Sequence, residues 1–64
     1  MDNTFKERLQ EEYEELLKKT LKLQHFLVDD EFNNITPIQK SLLFMQLNAM
    51  KTYASCLNER LQNL

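Results

Sequence analysis

TPIQKSLLFMQLNAMKTYASCLNERLQNL, residues Thr36 to Leu64, is the stretch that decides how this chain folds. It opens with Thr36 placed as an N-cap, Pro37 at the first helical position and Gln39 three residues on, the spacing of a capping box. From Ile38 onward no glycine or proline interrupts it, so the spacing predicts a long helix over about 36–63. The apolar residues occupy an unusually wide arc. Leu43, Leu47, Met50, Ala54, Leu57, Leu61 and Leu64 step by 4 and 3 in alternation and form one seam. Ile38, Leu42, Met45, Ala49, Tyr53 and Cys56 form a second seam beside it. At about 100° per residue the two seams together span roughly 200°. A helix packed on one neighbour needs little more than a ~100° stripe. The pattern therefore predicts two partners for this helix.

The first partner lies upstream. Thr4 with Glu7 has the T-x-x-E spacing of a capping box, and a first helix is expected over about 4–28, with residues 1–3 frayed. Leu9, Tyr13, Leu16, Thr20, Leu23 and Leu27 form its main seam, again in a 4-3 heptad register suited to near-parallel packing. Leu17, Leu21 and Val28 widen the apolar arc on one side. The opposite side carries Glu11, Glu12, Glu14 and Glu15 followed by Lys18, Lys19 and Lys22, an order that complements the helix dipole. That run reads as a solvated surface. Asp29 to Ile35 is the connection: its Asp and Asn residues favour caps and turns, while Phe32 and Ile35 are apolar enough to plug the open end of a hairpin. With no glycine to stop the first helix, a one-turn helix near Asp30 to Asn33 is expected to reverse the chain. Two helices of similar length so joined pack antiparallel.

The second partner is expected to be another copy of the chain. Sixty-four residues seldom bury enough apolar area to stay folded unaided. Cys56 is the only cysteine, which excludes an internal disulfide, and with the lone His25 it cannot fill the four-ligand shell of structural zinc. The fold expected is all-α: an antiparallel two-helix hairpin, one domain over residues 1–64, assembling into a four-helix bundle or a larger homo-oligomer. Leu42, Met45, Ala49, Tyr53 and Cys56 are the expected oligomer interface, with Cys56 buried there as a small hydrophobe.

Composition narrows the function. A net charge of −2 gives no general affinity for a nucleic-acid backbone, and no apolar run approaches the ~20 residues of a membrane span. The lone thiol and the absence of a hydrophobic leader fit a reducing cytoplasm. No phosphate-binding glycine loop, nucleophile elbow, H-E-x-x-H or C-x-x-C is present. The carboxylates sit on a solvated face beside lysines, whereas a catalytic pair wants burial and unlike surroundings. His25 falls on the polar side near a helix end and reads as a cap for its carbonyls. No enzyme activity, catalytic residue, metal or cofactor is expected.

Binding is the better lead. Gln46, Tyr53 and Arg60 stand at i, i+7 and i+14 and line one edge of the second helix. Arg8, at the start of the first helix, comes near Arg60 in an antiparallel hairpin. Tyr53 offers a flat ring with a hydroxyl, Gln46 an amide for base or ribose edges, and the arginines planar forks for phosphate. Those are the parts of a nucleotide pocket. The plainer reading makes Gln46 and Tyr53 packing residues and pairs Arg60 with a glutamate. Phe44, on the otherwise polar side, touches a further subunit or is simply exposed.

The order R-L-x-x-E-Y-x-E-L from Arg8, K-L-x-x-F-L from Lys22, Phe32, Q-x-x-L-L from Gln39 and Q-L-x-A-M-K-x-Y-x-x-x-L-x-x-R-L from Gln46 resembles the small helical-hairpin proteins of tailed phages and prophages related to a crAss-like phage product. The resemblance implies a phage origin and a bacterial cytoplasm. At the level of architecture alone the chain is similar to phage counter-defence hairpins that trap cyclic-nucleotide signals at subunit interfaces. The expected function is thus a non-enzymatic sponge for a cyclic oligonucleotide or cyclic ADP-ribose type signal, held by Arg8, Gln46, Tyr53 and Arg60 between protomers. The alternatives are a helical module that binds and inhibits a host protein, and a structural accessory oligomer.

Overall fold

Why the chain doubles back is settled between the two helices, where α1 (Thr4–Leu27) must end without a glycine. In the computed structural model, which describes residues 4–64, α1 closes by tightening. The Val28 N–H donates to the His25 carbonyl at 3.2 Å and the Asp29 N–H to the Phe26 carbonyl at 3.0 Å, both i→i−3 bonds that use carbonyls left over at the helix end. No described residue needs a positive φ. Asp29 then caps a 3-10 turn, Asp30–Asn34, its carboxylate accepting from the Glu31 N–H at 2.9 Å. The expectation of fraying at residues 1–3 lies outside the described residues.

Helix α2 (Pro37–Gln62) starts as its sequence dictates: the Thr36 hydroxyl accepts from the Gln39 N–H at 3.3 Å, with Pro37 in the first turn. Its last carbonyls are taken by Asn63, whose side-chain amide donates to the Glu59 carbonyl at 2.7 Å. α1 and α2 pack against each other as a rod of 51 × 15 × 12 Å. The core is one line of side chains along the contact. Leu9, Leu16, Ala54 and Leu57 are buried, Leu57 most of all at 1% exposure, with Tyr13, Met50 and Leu61 packed against them. Leu47 and Thr20 are also buried. The Thr20 hydroxyl donates to the Leu16 carbonyl at 2.7 Å, which lets a polar atom sit inside without an orphaned hydrogen bond.

Phe32 does plug the open end. Its ring meets Phe26 edge-on at 6.1 Å and Phe44 edge-on at 5.8 Å, a geometry favoured by ring quadrupoles. The Lys40 ammonium lies 5.4 Å from the Phe32 centroid. Phe44 is thus accounted for within the hairpin, as the wall against which the connection packs, although half of it stays exposed.

The two seams of α2 part company. The first lies on α1, except for Leu64, which falls beyond the end of the helix and is exposed. The second is left uncovered: Ile38, Leu42, Met45, Ala49, Tyr53 and Cys56 are all exposed. Cys56, expected to be buried between copies of the chain, is exposed in the single hairpin because it lies on the flank turned away from α1. On α1, Leu17, Leu21 and Val28 are likewise exposed. Two slender helices have one contact line, and it covers one seam of each.

Candidate functional site

The edge of α2 that carries Gln46, Tyr53 and Arg60 is solvent-facing along its length, with Tyr53 46% exposed and Gln46 and Arg60 exposed. Helical rise sets the spacing. Seven residues advance about 10.5 Å, so Gln46 and Arg60 stand about 21 Å apart along the axis, with Tyr53 midway. Within one hairpin the three side chains form a rail rather than a cup. Neighbouring members of it stand about 10.5 Å apart.

The far end of the rail is built by both helices. The Arg60 guanidinium carbon lies 5.9 Å from the centroid of the Phe5 ring, near the outer limit of a cation–π contact. Arg60 therefore rests on an aromatic face and not on the glutamate that the plainer reading gave it. Phe5 is itself exposed, and Arg8 follows it by three residues, one helical turn on. Both arginines are exposed at the same end of the hairpin, where the N-terminal turns of α1 meet the last turns of α2. A ring beneath a guanidinium limits its tumbling and leaves the fork's N–H donors free to point outward, which suits a phosphate or carboxylate. The structure thus brings Arg8 and Arg60 to one end, sets Tyr53 about two turns away and Gln46 about four.

A second hollow was not legible in the sequence. On one side of the hairpin a groove of about 370 Å³ runs between the helices, lined by Tyr13, Leu17, Thr20 and Gln24 from α1 and by Lys51, Ala54, Ser55 and Asn58 from α2. Its cause is local: Ala54 stands in a seam otherwise made of leucine and methionine, so the contact line is hollow beside it. The one sequence signal was that small residue, flanked by polar ones. The hollow of about 440 Å³ beside Lys6, Glu7, Gln10 and Glu11 is lined, among the described residues, by the solvated first turns of α1 alone. Among the described residues no group of three His, Cys, Asp or Glu side chains could hold a metal ion. His25 is exposed, and its backbone carbonyl accepts the Val28 N–H. No helix of the described residues is long and apolar enough to cross a membrane.

Comparison with known proteins agrees with the small-phage-protein resemblance and is silent on any crAss-like product. The chain is 35% identical over 57 residues to an uncharacterized 7.5 kDa protein of the denB-rIIB intergenic region of Enterobacteria phage T4, covering 89% of both chains. No solved structure matches it. The model of the Sequestin family matches residues 3–63, nearly the whole hairpin. The chain belongs to the Sequestin family.

Proposed function

We propose that this protein is a phage-encoded, non-enzymatic sequestering protein acting in the bacterial host cell, and that its cargo is a nucleotide-derived immune signal of the cyclic oligonucleotide or cyclic ADP-ribose type. The family's name points to sequestration and the T4 relative to a phage setting. The observation that carries the choice of cargo is the exposed rail on α2. A half-exposed tyrosine ring stands between an amide and a guanidinium that is seated on Phe5, with no acidic partner among the described residues. Stacking on Tyr53, polar contacts from Gln46 and charge neutralisation by Arg60 and Arg8 are complementary to a nucleotide with phosphates. Because the rail is open, a ligand bound tightly needs a second wall, and a further protomer supplies it.

A panel of cyclic dinucleotides and cyclic ADP-ribose, each added to the purified protein in a thermal-shift assay, tests this. Ligand present at ~100 times its dissociation constant contributes about 2.7 kcal/mol, a rise of roughly 10–20 °C for a chain of this size. Tyr53→Ala should abolish the rise while leaving the helical signal intact. The second reading is favoured by the uncovered apolar seam from Ile38 to Cys56, which suits insertion into a host protein's helical groove. Capture of one host protein by the wild-type chain, with no melting response to any nucleotide, would select it over the sponge.

A further inference from the structure

We infer that the groove beside Ala54 is a second binding site, separate from the rail, and that it takes a nucleoside monophosphate, with the base at its Tyr13–Asn58 end and the phosphate at Lys51. The inference stands on the groove alone and does not depend on what the rail holds.

Rotation about α2 sets the two sites apart. Counted from the buried Ala54 at about 100° per residue, Asn58, Lys51 and Ser55 lie roughly 40°, 60° and 100° to one side. Gln46, Tyr53 and Arg60 lie roughly 80–120° to the other. The groove therefore opens on the opposite face of the hairpin from the rail and from the uncovered seam of α2. Both helices build it, so one hairpin supplies its walls without a further copy. Its volume of about 370 Å³ falls within the ~300–1,000 Å³ range of small-molecule sites.

The lining selects the ligand. Thr20 and Ala54 are buried and form the floor, and Leu17, 39% exposed, forms an apolar wall. Around that apolar patch stand the polar ends of Tyr13, Gln24, Lys51, Ser55 and Asn58. None of these five side chains has a hydrogen bond or an ion pair among the described residues, whereas the Thr20 hydroxyl already donates to the Leu16 carbonyl. Five polar groups without partners around an apolar floor are what a ligand with a flat ring and polar edges requires. No lining residue is acidic, although ten of the chain's 64 residues are Asp or Glu, so the Lys51 ammonium is the one charge in the groove. An anion is admitted, and a single lysine suits a single phosphate, where the two arginines of the rail suit more than one.

Direction and length follow from the hairpin. Antiparallel helices put Tyr13 and Asn58 at one end of the groove and Gln24 and Lys51 at the other. Asn58 and Lys51 are seven residues apart, about 10.5 Å of helical rise, a span that a nucleotide bridges from base edge to phosphate. The Asn58 amide both donates and accepts, as the edge of a base demands. Ser55 lies between the two ends, level with the sugar hydroxyls. The base rests on Leu17 and Ala54, and the phosphate accepts from Lys51 and from the Gln24 amide.

Adenosine monophosphate, titrated into the isotope-labelled full chain and followed by amide NMR shifts, tests the site. Shifts should cluster at Gln24, Lys51, Ser55 and Asn58 and leave Arg8 and Gln46 still. Lys51→Met keeps the length of the side chain and removes its charge. It should weaken the monophosphate at least about tenfold while adenosine, which has no phosphate, binds both proteins equally. Ser55→Trp fills the groove from an exposed position and should abolish binding, with helicity unchanged by circular dichroism; should that variant misfold, the Lys51→Met comparison decides. Tyr53→Ala, on the other face, should leave the monophosphate's affinity unaltered. Shifts centred on Tyr53 and Gln46, equal losses for nucleotide and nucleoside in Lys51→Met, a folded Ser55→Trp that binds as the wild type does, or no shift at about 5 mM nucleotide each overturn the site. Binding in the groove without a melting response to any cyclic nucleotide keeps this site and removes the sponge; a cyclic-nucleotide response without groove shifts does the reverse.

Discussion

Leu57 is the side chain on which the hairpin depends most, and Leu57→Ala measures how much. Only 1% of it is exposed, and it belongs to the buried line with Leu9, Leu16 and Ala54. Buried leucine cut back to alanine costs about 2–5 kcal/mol, the larger values where neighbours cannot collapse into the space. Here Ala54 is the next residue along the seam and can supply little volume, so about 3 kcal/mol is expected. For a chain of this size each kcal/mol moves the melting temperature by roughly 4–8 °C, so the variant should melt about 12–24 °C lower. The comparison that gives the number meaning is Leu42→Ala. Leu42 is the same residue type on the same helix, but 45% exposed in the hairpin. Far-UV circular dichroism melts at ~5 and ~500 µM, concentrations chosen to straddle a micromolar association, separate the two roles. Leu57→Ala should lower melting at both concentrations. Leu42→Ala should do so mainly at the higher, where copies cover it. Leu57→Ala melting within ~2 °C of the wild type, against the expected drop, would refute the placement of the core.

Four further outcomes are expected. Cys56 should react rapidly with a disulfide reagent in dilute protein and progressively more slowly as concentration rises, because it is exposed in the hairpin and lies on the flank assigned to the second copy; a rate independent of concentration counts against that flank. Thr20→Val should leave the melting temperature within a few degrees or raise it slightly, since the Leu16 carbonyl keeps its backbone partner when the side-chain bond goes. Thr36→Ala should cost about 1 kcal/mol by uncapping α2, read from a chemical denaturation midpoint. Phe32→Ala should cost about 2–4 kcal/mol by removing the ring between Phe26 and Phe44; a cost no greater than for Phe5→Ala would show that the plug is ornamental.

The chain order alone determined the hairpin: heptad seams, a Thr36-Pro37 helix start and an Asp-Asn connection are local signals, and local geometry fulfils them. It also showed that α2 carries two apolar seams, because periodicity registers every apolar residue at its angle. Which seam meets α1 is a matter of packing. Only the fold decided that, within one hairpin, the Leu47–Leu57 line is buried and the Ile38–Cys56 line is left open, Cys56 with it. Arg60 lying over Phe5, and Phe44 walling the turn, were hidden for the same reason. Each joins residues more than ten positions apart, and no periodicity within one helix records what the other helix brings to it. The groove beside Ala54 is a volume between two helices, and a volume belongs to neither sequence segment.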